Sequence, residues 1–185
     1  MTLGRTTTRR RFLRHGARLA AVGGWPLLGA PARAAIAGER RLSLDHTHTG
    51  ETLELVYAVD DRYLYDALLR LDRFLRDHYS GDVGRMDPRL FDQLHALQRS
   101  LGAAGRFQVI SGYRCPTTNA TLRDTRGGGV ATNSLHMQGR AIDVRLPGVP
   151  LGELRDAALE LRAGGVGYYP DSRFVHVDTG RVRHW

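Results

Sequence analysis

The chain has 185 residues, one domain's worth at roughly 100–200 residues per domain, which excludes a large multidomain assembly. Hydrophobic residues make up 42% and charged residues 25%, a balance that supports a packed core and excludes disorder over most of the length. The formal charge is +8, yet seven of the 27 basic residues lie in the first 34 positions, where there is no Asp or Glu; the rest holds 20 basic against 19 acidic groups, a net of +1, which argues against a nucleic-acid-binding domain.

The first segment reads as an export address. Thr8-Arg9-Arg10-Arg11-Phe12-Leu13-Arg14 resembles the twin-arginine signal pattern, and the run from Gly16 to about Ala30 is too short and too rich in Gly, Pro and Ala to provide the ~20 apolar residues of a membrane span. Ala32-Arg33-Ala34 offers the small-x-small pattern of a cleavage site, so residues 1–34 are expected to be a twin-arginine signal peptide and residues 35–185 the mature domain. The expected location is the periplasm or otherwise outside the cytoplasm, with no stable membrane anchor after cleavage. Cys115 is the only cysteine, so neither an intrachain disulfide nor a cysteine-based zinc site is available.

In the mature part, Leu42, Leu44 and His46 alternate with polar residues, Thr49-Gly50 reads as a turn, and Leu53, Leu55 and Tyr57 alternate again, predicting a hairpin over 41–58 at a sheet edge. Tyr63, Leu64, Ala67, Leu68, Leu71, Phe74 and Leu75 recur every three or four residues and predict a helix over 61–78. Asp87-Pro88 opens a second helix whose buried side is Leu90, Phe91, Leu94, Leu97 and Leu101. A strand follows at 107–111, a short helix at 116–124 and a glycine loop at 127–129. Residues 141–146 read as a strand, 151–163 as a helix, 166–169 and 174–178 as strands. This order predicts an α+β fold, with helices packed on a small, mainly antiparallel sheet.

The chemistry is concentrated in Ser134-Leu135-His136-Met137-Gln138-Gly139-Arg140-Ala141-Ile142-Asp143 and in Phe174-Val175-His176-Val177-Asp178. A strand period of two sets Ile142 and Val144 against Asp143, and Val175 and Val177 against His176 and Asp178, so the apolar faces can be buried while Asp143 and His176 share a cleft. Gly139 lets the chain turn so that His136 folds back beside Asp143. Two neutral imidazoles and a carboxylate suit zinc, and three protein ligands leave its fourth position for water or substrate. From spacing alone the alternative of surface hydrogen-bonding groups stays open.

Ser134-x-His136-x-x-Gly139-x-Ala141-x-Asp143 resembles the SxHxxGxAxD signature of the zinc D-Ala-D-Ala metallopeptidase superfamily, whose first two metal ligands fall on His136 and Asp143. Ser111-Gly112-Tyr113-Arg114 is similar to the SGYR element of that superfamily, which implies that Arg114 faces the developing oxyanion, and His176 takes the third-ligand position. His48-Thr49-Gly50-Glu51, Asn119, Leu122, the run from Gly164 to Pro170, the segment from Phe174 to Gly180 and Trp185 resemble the YcbK-like, MepK-type murein endopeptidase branch. The resemblance implies a hedgehog/D,D-peptidase-like fold, zinc as cofactor and peptidoglycan as substrate. The implied activity is hydrolysis at D-centres in stem peptides or cross-links, with a D,D-carboxypeptidase or a non-catalytic peptidoglycan-binding module as alternatives.

Many members of the superfamily carry Glu or Asp three residues before the last histidine ligand as general base; here that residue is Arg173, whose guanidinium accepts no proton at neutral pH. Asp178 is the candidate replacement, with orientation of His176 as its other reading. Ser134 is expected to bind substrate at the cleft rim. Cys115 reads either as a nucleophile or as a small core residue, His46 and His48 as a solvated strand face, His95 as structural, and His184 as a possible cleft residue.

Overall fold

The computed structural model describes residues 38–125 and 129–185. The export segment at 1–34 and most of the glycine loop lie outside the described residues. The strands are β1 (Glu39–His46), β2 (Thr52–Val59), β3 (Arg62–Tyr63), β4 (Phe107–Ser111), β5 (Ala141–Arg145), β6 (Gly165–Tyr169), β7 (Phe174–Asp178) and β8 (Arg183–His184). The helices are α1 (Tyr65–Phe74), α2 (Pro88–Ser100), α3 (Pro116–Thr125) and α4 (Leu151–Leu161), with a 3₁₀ turn at Leu135–Gln138. The sheet order is β3-β2-β1-β4-β5-β7-β6-β8, antiparallel except for the pairs β1·β4 and β6·β8. The fold class is therefore the expected α+β, on a mainly antiparallel sheet.

Two expectations change. The hairpin of β1 and β2 does not sit with β1 at an edge: β1 is covered on its far side by β4, with Leu44 opposite Phe107 and His46 opposite Val109, and the short β3 is the outer strand. The helix expected over 61–78 is shorter, because Arg62 and Tyr63 pair with Val59 and Ala58, and the amide of Leu64 donates to the carbonyl of Tyr57 at 2.8 Å. Tyr63 and Leu64 fit the helical stripe by spacing, but the backbone hydrogen bonds offered by β2 hold them in the sheet. At the other end the chain leaves helical geometry at Leu75. By contrast α2 starts where read: the carboxylate of Asp87 accepts from the amide of Arg89 at 3.0 Å, with a first-turn proline behind it.

Register explains which residues reach the functional face. Val109 stands opposite Val144, Val144 opposite Val175, and Ile142, Val177 and Val166 form a row across β5, β7 and β6. Directly opposed residues share a face, so these side chains form one apolar layer, continuous with Leu90, Leu94 and Leu97 of α2 and with Leu154 and Ala158 of α4 in the core. The opposite face receives Ala141 and Asp178, and then Asp143, His176 and Gly167 in a second row. A bulge between Val109 and Ser111 adds one residue to β4 and brings Ser111 opposite Asp143.

Candidate active site

His136 is delivered by a 3₁₀ turn, Asp143 by β5 and His176 by β7. Gly139 closes the turn with φ at +64°, and a Cβ there would lie 1.9 Å from the carbonyl oxygen of Arg85, so the position tolerates no side chain. The carbonyl of Gly139 accepts from the amide of Asp87 at 2.8 Å, which ties the turn to the start of α2. The three side chains are 3%, 6% and 8% exposed in that order. They converge on one point: His136 Nε2 to His176 Nδ1 is 3.2 Å, His176 Nδ1 to Asp143 Oδ1 is 2.8 Å, and His136 Nε2 to Asp143 Oδ1 is 3.4 Å. Among the described residues this is the group of His, Cys, Asp and Glu side chains arranged to hold a metal ion.

The donor set passes a geometric test for zinc. Zinc ligands at about 2.0–2.2 Å in a tetrahedron stand roughly 3.3–3.6 Å apart; the separations of 3.2 and 3.4 Å lie close to this, and the 2.8 Å between His176 Nδ1 and Asp143 Oδ1 is shorter. The tautomers also fit. His136 Nδ1 donates to the carbonyl of Gly112 at 2.7 Å, which leaves Nε2 as the lone-pair nitrogen, and His176 Nε2 faces Asp178 Oδ2 at 3.3 Å, which leaves Nδ1. Each imidazole is therefore held by its outer nitrogen and turned inward with the other. Burial works against charge on all these groups, but their mutual contacts prevail: Asp143 is held well below the usual carboxylate range by His136 and His176, and His176 is pushed up to about 9 by Asp143 and Asp178.

Asp178 is fully buried and both its oxygens are engaged. Oδ1 accepts from the amides of Gly165 at 2.9 Å and Gly180 at 2.7 Å and from Arg183 Nη1 at 3.2 Å; Oδ2 accepts from Arg183 Nη2 at 2.7 Å and lies beside His176. These donors outweigh desolvation and lower its pKa below the ordinary value. The β8 segment then covers the outer side of the site: the indole of Trp185 lies 5.3 Å from the His176 ring and donates from Nε1 to the Tyr169 hydroxyl at 2.7 Å. Gly167, opposite His176, makes this possible, since a Cβ there would come within 2.8 Å of the indole.

The triad opens into a cavity of about 370 Å³ that is also lined by Ser111, Arg114 and Ser134. Arg114 Nη2 donates to Ser111 Oγ and Nη1 to Asn119 Oδ1, both at 3.4 Å, and its amide donates to the carbonyl of His136 at 3.3 Å. Ser134 is buried at the residue preceding the 3₁₀ turn. Arg173 is exposed in the turn before β7 with φ at +56°, and it does not line this cavity. Cys115 is also away from it, buried with Sγ 3.3 Å from Thr118 Oγ1. His184 is exposed and lies outside the lining, and His95 sits part-buried on α2 against Tyr57.

His46 departs from the expected solvated face. It shares strand parity with Leu42 and Leu44, is 2% exposed, and its Nδ1 accepts from the amides of His48 at 3.3 Å and Thr49 at 3.4 Å. Burial, aided by nearby His78, His48 and Arg76, lowers its pKa from 6.5 to about 4. The unfolded chain therefore binds the extra proton more readily than the folded one between these values. His46 contributes stability that is complete above pH 6.5 and is lost as the pH falls toward 4. Urea unfolding of His46→Asn, which keeps an acceptor near Nδ1 and removes the titration, is expected to show a shallower loss of stability across that window than the parent.

Several groups that shape the site were not singled out in the sequence: the Gly112 carbonyl, Arg183 and His78. No sequence signal marks a backbone carbonyl, but the run Gly164-Gly165-Val166-Gly167 does signal a close approach by another segment, here that of β8.

Residues 34–185 match the family model described as peptidoglycan L,D-endopeptidase MepK. The chain belongs to this family. MepK of Escherichia coli strain K12 is 44% identical over 164 residues, covering 88% of this chain and 90% of that protein, and MepK of Shigella flexneri matches to the same extent. The probable MepK of Haemophilus influenzae is 44% identical over 147 residues, covering 79% of this chain and 78% of its own. Membership places the chain among the metallopeptidases of the M15 group, in agreement with the resemblance carried by the SxHxxGxAxD and SGYR elements.

Proposed function

We propose that this protein is an exported, zinc-dependent murein endopeptidase that hydrolyses a peptide bond between an L- and a D-configured centre in peptidoglycan. The observation that carries the proposal is the convergence of His136 Nε2, Asp143 Oδ1 and His176 Nδ1, 2.8–3.4 Å apart, with both imidazoles held by their outer nitrogens. The relatives' names supply the substrate class and the stereochemistry of the bond.

His136, Asp143 and His176 would hold the zinc. When bound, the ion supplies Lewis acidity, polarising a scissile carbonyl and making water a nucleophile near neutral pH. Arg114 lines the cavity next to Ser111, which stands opposite Asp143 in the sheet, and this supports a role for its guanidinium in stabilising negative charge developing on the carbonyl oxygen. Ser134 binds the substrate backbone from the cleft lining. Asp178 is a positioning residue: every oxygen lone pair with a donor in reach is in use, it has no exposed surface, and it meets His176 at the nitrogen pointing away from the triad. Its carboxylate orients the imidazole and is not the base that Arg173 fails to provide.

Export rests on residues 1–34 acting as a twin-arginine signal, with release of the mature domain outside the cytoplasm; none of the described helices is long and apolar enough to cross a membrane. Digestion of purified cross-linked muropeptides by the mature protein, with products identified by mass spectrometry, tests the function. The expected result is cleavage at an L,D bond, abolished by a chelator and restored by zinc; intact cross-links under all conditions would contradict it.

A further inference from the structure

Beyond the triad the functional face of the sheet turns aromatic. Gly167 stands opposite His176, and in the next row along the same two strands Tyr169 stands opposite Phe174. Alternation puts this pair on the face that carries His176, where the two rings stack with centroids 4.6 Å apart and both line the cavity. Trp185 comes in over Gly167 from just beyond β8. Its amide donates to the carbonyl of Val166 at 3.2 Å and its carbonyl accepts from the amide of Tyr168 at 3.1 Å, so the backbone that carries the indole is fixed. The side chain is fixed as well, by the bond from Nε1 to the Tyr169 hydroxyl at 2.7 Å and by the guanidinium of Arg183, 4.8 Å from the ring centroid.

Despite these restraints the indole is 49% exposed, and it lines the cavity 5.3 Å from the His176 ring. A large aromatic surface that is rigid and open is suited to binding, because packing on it buries apolar area without the entropy cost of ordering a loose side chain. The ion pair on this flank is closed on itself: Arg183 donates to Asp178 through both terminal nitrogens, and Asp178 is fully buried. What Trp185 offers a ligand is therefore apolar ring surface and not a charge. Its distance from the His176 ring limits what can rest there to the residue adjoining the bond being cut.

We propose that Trp185, backed by Tyr169 and Phe174, is a specificity-determining residue whose indole packs along the aliphatic stem of the side chain adjoining the scissile bond on the β8 side, and so selects a long side chain there over a short one. This rests on the reading of the site as a peptidoglycan peptidase and names what that site recognises.

The test uses three synthetic L,D peptides, one with an unbranched four-carbon side chain on both residues of the scissile bond and two in which either the L- or the D-residue is shortened to alanine. Values of kcat and KM are measured for the zinc-loaded mature protein, Trp185→Ala and Trp185→Phe. The parent is expected to show a KM about tenfold higher when one of the two residues is shortened, roughly the effect of two buried methylenes, with kcat unchanged. Trp185→Ala is expected to abolish that difference, and Trp185→Phe, which keeps a ring, to retain most of it. Trp185 is the only tryptophan of residues 35–185, so its fluorescence reports on the wall directly and needs no variant to fold. An uncleavable analogue of the long peptide, its scissile amide reduced to a methyleneamine, is expected to shift the parent's emission. A parent that cleaves none of the three peptides overturns the peptidase reading and this inference with it. A parent that cleaves all three with equal KM, a folded Trp185→Ala protein that keeps the full preference, or an emission unchanged at analogue concentrations that inhibit cleavage overturns the inference alone.

Discussion

Alanine at His176 is expected to abolish both zinc binding and hydrolysis. His176 offers one of the three atoms that could hold the ion, and Nδ1 sits between His136 Nε2 at 3.2 Å and Asp143 Oδ1 at 2.8 Å, so its loss leaves two donors and no third among the described residues. Two ligands fall short of the three protein ligands of a catalytic zinc site. Turnover should drop to the level of the chelated parent. The variant also leaves the Asp143 and Asp178 carboxylates without the imidazole that both contact. Removing one member of a buried pair is costly, by about 3–5 kcal/mol in general. The Asp178 part is offset by Arg183 and two backbone amides, which remain. Circular dichroism and a urea midpoint measured beside activity and metal content separate loss of the ligand from loss of the fold. Retained activity in a folded His176→Ala protein would remove the third ligand from the account.

Arg114→Ala is expected to lower kcat by about 10²–10³, the usual effect of deleting a donor to a developing oxyanion, while zinc content is unchanged. Arg114 is attached to the site twice without being a ligand: its backbone amide donates to the carbonyl of His136, and its guanidinium donates to Ser111 and Asn119. Because the backbone contact survives the substitution, the turn carrying His136 keeps its anchor. An equal loss of zinc and turnover would instead make Arg114 a support for the metal site, and an unchanged kcat would remove it from catalysis.

Much of this site was legible in the sequence because strand alternation is a strict rule. Ile142, Val144, Val175 and Val177 had to share the core face, and that alone sent Asp143 and His176 to the other. The adjacency of β5 and β7 and the exact pairing of Asp143 with His176 are tertiary facts, and only the resemblance to a known signature anticipated them. The same parity rule, applied to β1, would have put His46 with Leu42 and Leu44 in the interior; its proximity to exposed His48 suggested a solvated pair, although one residue ends the strand and the other lies in the turn. The interior position of β1 was hidden for a different reason, since its parallel pairing with β4 joins residues some sixty positions apart and leaves no local trace. The sequence left Asp178 open between base and orienter because it did not show the donors around its carboxylate, which are Arg183 and the amides of Gly165 and Gly180. Gly180 lies only two residues on and Arg183 five, but the Gly165 amide comes from the neighbouring strand β6, and that convergence leaves no local trace.

The most direct measurement is the zinc content of the mature protein after reconstitution and removal of excess metal, read by elemental mass spectrometry beside an otherwise identical Asp143→Ala protein. The account predicts one zinc per parent chain and none retained by the variant. A folded parent that binds no metal, or a variant that binds as much as the parent, would contradict it.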